Sequence, residues 1–239
     1  ASSGIGRQTA ITLSQLGARV VLVARREDKL REVLSDLEGE GHGYRCADLS
    51  RIDEIEDVFK GIVEEFGSLD GLVHAAGIAL DLPLKQYKPE KVEKEFRINF
   101  FSFVELVRQA TARGRYNKGM RIVGISSIAA FKGAKAHAIY SASKAAMDGA
   151  VRCLAKELES KNICLNTVAP GMVRTEMYDV YLERSGGAEG RSNKGLLSRQ
   201  YRGIIPPEDI AASIAFLISP AARYITGICL PVDGGYLSN

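Results

Sequence analysis

Short runs of apolar residues alternate with amphipathic stretches along the whole chain. The run at 19–24 is continuous and rich in valine, which is typical of a strand buried on both faces. Similar runs predict five further strands, at 43–47, 69–75, 121–126, 163–169 and 228–232. Apolar residues at helical spacing predict six helices, at 5–16, 27–38, 51–66, 89–111, 137–160 and 207–218.

The alternation of strands and helices favours right-handed β-α-β crossovers and a parallel sheet. We therefore predict an α/β fold, with one Rossmann-like, doubly wound parallel sheet and helices on both faces, forming a single domain over 1–239. Sheets of this kind bind ligands outside the carboxyl ends of their strands. The segments with candidate chemistry lie at such ends, which is where a functional site is expected.

The beginning of the chain lacks one expected element. Ser2-Ser3-Gly4-Ile5-Gly6-Arg7 has the character of a phosphate-binding loop that opens a helix, yet no strand precedes it. A loop of this type follows a buried central strand. We therefore expect the full protein to contain a first strand before Ala1.

Composition and charge argue against two classes of binding partner, nucleic acids and membranes. The 239 residues are 46% hydrophobic and 26% charged, which are ordinary values for a globular protein. The formal charge is only +3 and the basic residues are scattered, so we predict no nucleic-acid partner. No apolar run approaches the roughly 20 residues that span a bilayer, so no membrane partner is predicted.

The four cysteines, Cys46, Cys153, Cys164 and Cys229, form no Cys-x-x-Cys pair. Neither a zinc site nor a redox dithiol is indicated, and no other metal-ligand cluster is visible. Scattered thiols are mostly small core residues, and they fit a reducing cytoplasm, where we expect the protein.

Two regions favour a dinucleotide coenzyme. Gly4 and Gly6 would let a pyrophosphate approach the free amides at the start of a helix, although Gly-x-Gly is also common in ordinary turns. The second region follows the strand at 19–24, where NAD-binding proteins usually have an acidic residue. Here Arg25 and Arg26 follow Ala24, and guanidinium groups suit a 2′-phosphate, so NADPH is predicted over NADH.

Both assignments have plainer alternatives. The two arginines could simply be the solvated start of the next helix. Asp48, which with Leu49 follows the strand at 43–47, could accept a hydrogen bond from the adenine amine or could be a helix cap.

A tyrosine and a lysine four residues apart point to acid–base chemistry. Tyr140 and Lys144 share one face of the predicted helix. A phenol has a pKa of ~10, and a neighbouring ammonium would lower the pKa of Tyr140. The same ammonium could reach a ribose hydroxyl of the coenzyme. Such pairs also occur by chance on helix surfaces, so the pair needs support from other residues.

That support comes from a serine and an asparagine. Ser126 and Ser127 end the strand before this helix, where a hydroxyl could stabilise charge on a substrate carbonyl. Asn99 lies among apolar residues of the preceding long helix, where a satisfied core hydrogen bond is the plainer explanation.

These motifs together resemble the short-chain dehydrogenase/reductase family over essentially the whole chain. The last two glycines of the family pattern Thr-Gly-x-x-x-Gly-x-Gly match Gly4 and Gly6, which would place the first glycine before Ala1. The family's catalytic tetrad falls on Asn99, Ser127, Tyr140 and Lys144, and its serine-to-tyrosine interval selects Ser127 over Ser126. Coenzyme contacts are then expected at Ser3, Gly4, Ile5, Gly6, Arg25, Arg26, Asp48, Leu49, Ala76, Gly77, Tyr140, Lys144, Pro170, Gly171, Val173 and Thr175.

Two positions depart from the family pattern. The family's Asn-Asn-Ala-Gly reads His74-Ala75-Ala76-Gly77, so asparagine hydrogen bonds are lost; His74 could replace one or be a structural histidine. NADPH-specific members often have a basic residue where this chain has Ser3, so the NADPH assignment depends mainly on Arg25.

The resemblance implies reversible reduction of a ketone to a secondary alcohol. Ser127 would hold the carbonyl oxygen, Tyr140 would supply the proton, and Lys144 with Asn99 and ordered water would replace it. Lys118 and Lys161 match basic positions with which carrier-protein reductases of fatty-acid synthesis dock their carrier, which mildly favours a 3-oxoacyl thioester. A free sugar, polyol or steroid-like alcohol is the alternative substrate, and a non-catalytic redox sensor is the alternative of another class.

Two further expectations concern the surface. Segment 177–203 could be a mobile lid or a solvated loop. It ends at Gly203 and contains four further glycines and five basic residues: Gly186, Gly187, Gly190, Gly195, Arg184, Arg191, Lys194, Arg199 and Arg202. The resemblance also implies a homotetramer or homodimer, with the helices at 89–111 and 137–160 packed between subunits.

Overall fold

Within residues 1–184 and 198–238, which the computed structural model describes, six strands run parallel to their neighbours in two sheets. A pair joins β1 and β2, and a second sheet has the order β3-β4-β5-β6. The strands are β1 (Val21–Ala24), β2 (Gly43–Cys46), β3 (Leu69–His74), β4 (Tyr116–Ile125), β5 (Cys164–Pro170) and β6 (Cys229–Val232).

Eight α-helices connect and flank these strands in the same described residues. They are α1 (Gly4–Gln15), α2 (Glu27–Ser35), α3 (Ile55–Phe66), α4 (Pro89–Phe96), α5 (Ser102–Ala110), α6 (Ala138–Glu157), α7 (Glu176–Arg184) and α8 (Pro207–Ile218). A π-helical turn, Arg97–Phe101, joins α4 to α5. None of the described helices is long and apolar enough to cross a membrane.

Both faces of the larger sheet are buried by helices, as predicted. In β4 the side chain of Ile122 packs into a cluster with residues of α3, α5 and α6, whereas the next residue, Val123, packs into a cluster with residues of α8. Successive residues of a strand point to opposite faces, so this division places helices on both sides. A third cluster joins α1 and α2 to β1 through Ala10, Leu30 and Leu22.

The largest difference from the sequence prediction concerns the helix expected at 89–111. The structure divides it into α4, the π-helical turn and α5. Strand β4 also begins at Tyr116, five residues before the predicted 121, because Tyr116 pairs with Leu69 through the backbone even though its neighbours are polar. Helix α7 was not predicted, because its residues lie almost entirely in the segment 177–203, which was expected to be a lid or a loop. The remaining elements differ from the prediction by a few residues at their ends or by short 3₁₀ turns, as expected where helix and strand ends fray.

The two sheets meet near the first residue. The amino group of Ala1 donates a hydrogen bond to the carbonyl oxygen of Val23 in β1, at 3.1 Å. A Cβ added to Gly6 would lie 3.2 Å from Ala75 Cβ, so the start of α1 also abuts the end of β3. A strand before Ala1 stays a prediction.

Candidate active site

One cavity lies at the carboxyl ends of β3, β4 and β5 and reaches the start of α1. Its volume is about 330 Å³. Its walls include Ser3, Gly4, Ile5, Gly6, Gly77, Ser127, Tyr140, Lys144, Pro170, Gly171, Val173 and Thr175. The structure therefore brings twelve of the predicted site residues to one space, at the sheet edge where α/β folds bind ligands.

Ser127 and Ser126 have different environments. Both serines line the cavity, but only Ser127 accepts a hydrogen bond from the Ala129 amide, at 3.1 Å, and lowers the pKa of Tyr140 by its interaction with the phenol. The hydroxyl of Ser126 donates to Asp148 at 2.8 Å in a buried cluster that also includes Thr167. Because Ser126 is committed to this internal hydrogen bond, the geometry favours Ser127 as the serine that faces a ligand.

Burial dominates the electrostatics of Tyr140. It raises the pKa of the phenol above its ordinary value, the hydrogen bond with Ser127 lowers it, and the charges of Glu95 and Asp81 raise it further. The expected lowering by Lys144 is therefore wrong for this structure. The physical reason is that burial penalises the charged phenolate, and Lys144 is not among the groups that shift this pKa.

The ammonium of Lys144 is held by a hydrogen bond to the backbone at the end of β4. Its Nζ atom donates to the carbonyl oxygen of Ile125 at 2.7 Å and lies 5.9 Å from the centre of the Tyr140 ring. The side chain is only 3% exposed, and burial lowers the pKa of Lys144 to about 8. Lys144 thus stays mostly protonated at neutral pH and lies within reach of both the phenol and the cavity.

Asn99 connects three segments around the site. It lies in the π-helical turn and is fully buried. Its amide nitrogen donates to Ile78 O and to Ser143 Oγ, and its carbonyl oxygen accepts from the amide of Ile78, each at 2.9 Å. The side chain therefore fixes the segment after β3 against the turn of α6 that contains Tyr140 and Lys144.

The start of α1 has the features of an anion site. The first turn contains no acidic residue, and the cap residue Ser3 makes no side-chain capping hydrogen bond. Gly4 has φ of +53°, and a Cβ there would lie 3.3 Å from Thr175 Cγ2. Glycine thus permits both the backbone conformation and the close approach to Thr175, while helix amides remain directed at the cavity.

The segment after β3 also requires a glycine. A Cβ at Gly77 would lie 3.3 Å from Lys144 Nζ and 3.4 Å from Asn99 Oδ1. Ala75 and Gly77 line the cavity, whereas Ala76 is not among its lining residues. The expected coenzyme contact at Ala76 therefore stays a prediction.

His74 is a buried structural residue. Its Nε2 lies 2.9 Å from Ser102 Oγ, which itself donates to the carbonyl of Ile98, so Nε2 must carry the hydrogen. The side chain is 1% exposed, and burial lowers the pKa of His74 to about 3. This arrangement fits the structural alternative, and His74 does not line the cavity.

The two arginines differ in their contacts. Arg26 lies 3.4 Å from Ser2 Oγ and forms a long ion pair of 3.9 Å with Glu176. Arg25 is exposed, and its charge helps to lower the pKa of Asp48. Arg25 therefore lies near the end of β2, beyond the walls of the cavity, where it is open to solvent.

Asp48 and Leu49 both make contacts within the protein, Asp48 by hydrogen bonds and Leu49 by packing. Asp48 Oδ1 accepts from the amide and the hydroxyl of Ser50, at 3.0 and 2.8 Å, which closes a turn; it does not cap the following 3₁₀ helix, Ile52–Glu54, whose cap residue is Arg51. Burial alone would raise the pKa of Asp48, but these hydrogen bonds and the charges of Arg25 and Arg51 lower it. The side chain of Leu49 packs against the core.

The segment that follows β5 is held by contacts with Gln200 and Ile205. A Cβ at Gly171 would lie 2.4 Å from Gln200 Oε1, and this buried amide bonds to both N and O of Met172. Val173 pairs with Ile205 in an isolated bridge, and the Thr175 hydroxyl lies 3.4 Å from the carbonyl of Val173. These contacts fix the wall of the cavity opposite the segment after β3.

Sequence reasoning missed three polar residues near Tyr140. His137 and Asp81 line the cavity with a contact of 3.3 Å, and Glu95 lies behind them with 1% exposure. Burial raises the pKa of Glu95 to about 7. The position of His137 one helical turn before Tyr140 was a signal that could have identified it. No local signal identifies Asp81, which lies in an irregular segment.

The predicted surface residues are only partly described. Lys118 and Lys161 are exposed, and Lys161 Nζ donates to the carbonyl of Thr111 at 2.8 Å. Arg199 and Arg202 are also exposed. The remaining basic residues and glycines of the predicted lid lie outside the described residues, except the backbone of Arg184, which ends α7. Within the described part of the chain, no three His, Cys, Asp or Glu residues are grouped as metal ligands.

Comparison with protein families matches residues 1–237 to a family described as enoyl-(acyl carrier protein) reductase. The chain is 35% identical to carbonyl reductase family member 4 of Danio rerio, covering 98% of this chain and 94% of that protein. It is 34% identical to L-xylulose reductase of Caenorhabditis elegans, covering 100% and 94%. It is also 34% identical to 3-oxoacyl-(acyl-carrier-protein) reductase FabG of Vibrio cholerae, covering 98% and 93%.

Solved structures of related proteins also match nearly the whole chain. A short-chain dehydrogenase/reductase from Serratia marcescens superimposes with a TM-score of 0.89 at 28% identity, covering 98% of this chain and 94% of that chain. A blue fluorescent protein from a metagenomic library, solved in complex with NADPH, gives 0.87 at 28% identity, with the same coverage. The similarity therefore extends over nearly the whole chain.

Proposed function

Because the chain belongs to the short-chain dehydrogenase/reductase family and is an NADP(H)-dependent oxidoreductase of CH–OH and C=O groups, we propose that it reduces a 3-oxoacyl thioester or a similar ketone to a secondary alcohol. The observation that carries this proposal is the single cavity lined by Ser127, Tyr140 and Lys144 at one end and by the start of α1 at the other.

The residues present fit the coenzyme. The first turn of α1 has no acidic side chain and no side-chain cap, so its free backbone amides, at Ser3, Gly4, Ile5 and Gly6, would hold the pyrophosphate. Arg25 would pair with the 2′-phosphate. Gly77 leaves open the space beside Lys144 and Asn99 that a side chain would fill. At Pro170–Thr175 the opposite wall would receive the nicotinamide end. When bound, NADPH supplies the hydride for the carbonyl carbon.

The chain's own residues supply the proton and the orientation. Ser127 donates a hydrogen bond to the carbonyl oxygen and stabilises the negative charge that develops there. Tyr140 donates its proton to the same oxygen. The raised pKa of Tyr140 fits this direction, because it keeps the phenol protonated and ready to act as an acid at neutral pH.

Lys144 and Asn99 would restore the proton. The Lys144 ammonium stabilises the phenolate that remains after transfer, since it lies 5.9 Å from the ring. Asn99 keeps the Ile78 carbonyl in place, and ordered water at this position would complete a relay towards solvent. Without Asn99, the segment after β3 would lose its attachment to α6.

Replacing Tyr140 tests the proposed function. We expect Tyr140→Phe to lower kcat by about 10²–10⁴-fold, the usual contribution of a general acid, with NADPH binding within about twofold of wild type. Coenzyme oxidation measured with a ketone substrate gives the first quantity, and fluorescence titration with NADPH gives the second. Tyr224→Phe is the matched control, because Tyr224 is 88% exposed. Full turnover by Tyr140→Phe would refute the assignment.

The substrate class needs a separate measurement. A 3-oxoacyl thioester is favoured by the similarity to the Vibrio cholerae reductase and by exposed Lys118 and Lys161. Similarity to the Caenorhabditis elegans L-xylulose reductase favours a free sugar or polyol. We expect kcat/KM to be highest for an acyl thioester in a panel with free ketones and sugars. A preference for sugars would select the second candidate. The cytoplasmic location and the homotetramer or homodimer stay predictions.

A further inference from the structure

A buried carboxylate lies one helical turn beyond Lys144. Asp148 belongs to α6, is 5% exposed, and comes four residues after Lys144, so the two side chains share one face of the helix. Within residues 1–184 and 198–238, no basic side chain lies close enough to Asp148 to form an ion pair. A carboxylate buried in this way needs another source of stabilisation.

Two buried hydroxyl groups hold this carboxylate. The Ser126 hydroxyl donates to Asp148 Oδ2 at 2.8 Å, and the Thr167 hydroxyl of β5 donates to Oδ1 at 2.7 Å. One donor on each oxygen fits an ionised carboxyl group, which can only accept. The thiol of Cys229 in β6 adjoins the same cluster, and burial raises its pKa to about 12, so it adds no charge. The negative charge is thus fixed between α6 and the sheet.

The ammonium of Lys144 lies next to this cluster. Its Nζ atom donates to the carbonyl oxygen of Ile125, the residue immediately before Ser126. A backbone carbonyl carries only a partial charge, so it compensates a buried ammonium incompletely. Burial lowers the pKa of Lys144, and the charge of Asp148 is the largest influence in the opposite direction. The two buried charges therefore stabilise each other through the interior of the protein, where water screens them little.

Other titratable groups around Lys144 do not replace Asp148. His74 of β3 is neutral at neutral pH, since burial lowers its pKa to about 3. Glu95 of α4 also raises the pKa of Lys144, but less than Asp148 does, and its own pKa is raised to about 7. Tyr140 on the same helix is uncharged before proton transfer, because burial raises its pKa. Among these groups, Asp148 has the strongest influence that favours the ammonium.

The proposed reaction depends on the charge of Lys144. In that reaction Lys144 helps to return a proton to Tyr140, and a neutral amine is a far weaker acid than an ammonium. We propose that Asp148 is a positioning residue, whose buried carboxylate keeps Lys144 in the ammonium form beside Tyr140. This inference rests on the proposed function and deepens it. It also gives a role to Ser126, whose hydroxyl holds the carboxylate instead of the substrate.

Removing the charge of Asp148 tests the inference. Asp148→Asn keeps the size of the side chain, and Thr167→Val is the matched control, because it removes one hydrogen bond of the same carboxylate and leaves the charge. The ¹³C chemical shift of the Lys144 side chain, assigned by its loss in Lys144→Arg, follows the protonation of the amine directly. We expect the midpoint of this titration to lie about one pH unit lower in Asp148→Asn than in wild type. In Thr167→Val it should stay close to that of wild type.

The reaction should show the same pH dependence. Because the pKa of Lys144 is about 8 in the wild-type protein, kcat of Asp148→Asn for a ketone should be within about twofold of wild type at pH 6 and about fivefold lower at pH 8. An equal fall at both pH values would mean that Asp148 only ties α6 to the sheet, and this would overturn the inference. A shifted midpoint with the same kcat ratio at both pH values would overturn it as well.

A second variant covers the case in which Asp148→Asn does not fold. Asp148→Leu combined with Ser126→Ala and Thr167→Val removes the charge together with both hydroxyl donors, so neither donor is left unpaired. The same lower midpoint for Lys144 is expected, and an unchanged midpoint refutes the coupling of the two charges. The chemical shift is measured without substrate, so it decides this point independently of turnover. A wild-type protein that reduces no ketone refutes the proposed function, and the role of Asp148 in the reaction falls with it.

Discussion

At the scale of single residues, burial sets the protonation of several groups near the site. Tyr140 and Glu95 have raised pKa values, and Lys144 and His74 have lowered ones, with desolvation as the largest cause in each case. Each shift favours the uncharged form, as expected where water is excluded. A carbonyl reductase needs an acid that keeps its proton until transfer, and burial provides this for Tyr140.

His74 makes stability depend on pH. Its pKa is lowered from the model-peptide value of 6.5 to about 3, so the unfolded chain takes up a proton below about pH 6.5 and the folded chain does not. Stability is therefore lost as pH falls through this range, by roughly 2 kcal/mol between pH 7 and pH 5. The raised pKa of Glu95 acts in the opposite direction over the same range, so the contribution of His74 is measured as a difference between wild type and His74→Asn. Urea unfolding at pH 7 and pH 5 should give a change in stability that differs between the two proteins by about 2 kcal/mol. An identical slope in the variant would contradict the account.

The predicted catalytic residues could be identified from the sequence because they lie in short motifs. Tyr140 and Lys144 are four residues apart in one helix, and Ser127 ends the preceding strand. The Asp81–His137 pair could not be identified, because its members are 56 residues apart and meet only through the backbone conformation at Asp81. The direction of the pKa shift of Tyr140 was also inaccessible, since burial depends on the folded surroundings.

At the scale of elements, the π-helical turn positions Asn99. Apolar residues keep helical spacing on both sides of it, in α4 and in α5, so the sequence pattern predicts one continuous helix. A π-helical turn changes the helical phase without changing composition, which explains why the pattern did not reveal it. Turns of this kind occur frequently at functional sites.

Removing the Asn99 side chain should affect stability strongly. In Asn99→Ala the amide and carbonyl of Ile78 and the hydroxyl of Ser143 lose partners in a buried site. We expect the free energy of unfolding to fall by about 2–4 kcal/mol, measured by urea denaturation. Asn117→Ala is the matched control, because Asn117 is exposed and its hydrogen bonds lie at the surface; it should change stability by less than about 0.5 kcal/mol. Equal effects of the two variants would contradict the role of Asn99.

At the scale of the whole molecule, the cavity is assembled from the carboxyl ends of β3, β4 and β5 in the larger sheet and from the start of α1. The parallel sheet with helices on both faces could be predicted from the alternation of strands and helices, because that pattern leaves few topologies. The division into clusters on the two faces follows from the nearly continuous apolar character of the strands. The ends of the elements were less predictable, since backbone pairing, as between Leu69 and Tyr116, needs no apolar side chain.

We predict that the charge of Arg25 determines the preference for NADPH over NADH. Arg25 makes no side-chain hydrogen bond or ion pair within the described residues, whereas Arg26 is already paired with Glu176. Because a charge-assisted contact contributes about 1.5–3 kcal/mol, Arg25→Ala should weaken NADPH binding roughly 10–100-fold and leave NADH binding within about threefold. Fluorescence titration with both coenzymes measures this, with Arg26→Ala as the control. Equal weakening of both coenzymes would show that Arg25 does not contact the 2′-phosphate.

The π-helical turn also limits how the chain can change during evolution. Each residue of an α-helix advances the direction of its side chain by about 100°. A π-helical turn holds about one residue more than an α-helical turn, so deleting one residue from Arg97–Phe101 would join α4 and α5 into a continuous α-helix and leave Phe103, Leu106 and Val107 in the core cluster. The same deletion would shift Asn99 away from Ile78 and Ser143. The core would therefore tolerate loss of the turn, and the contacts of Asn99 are what would retain it.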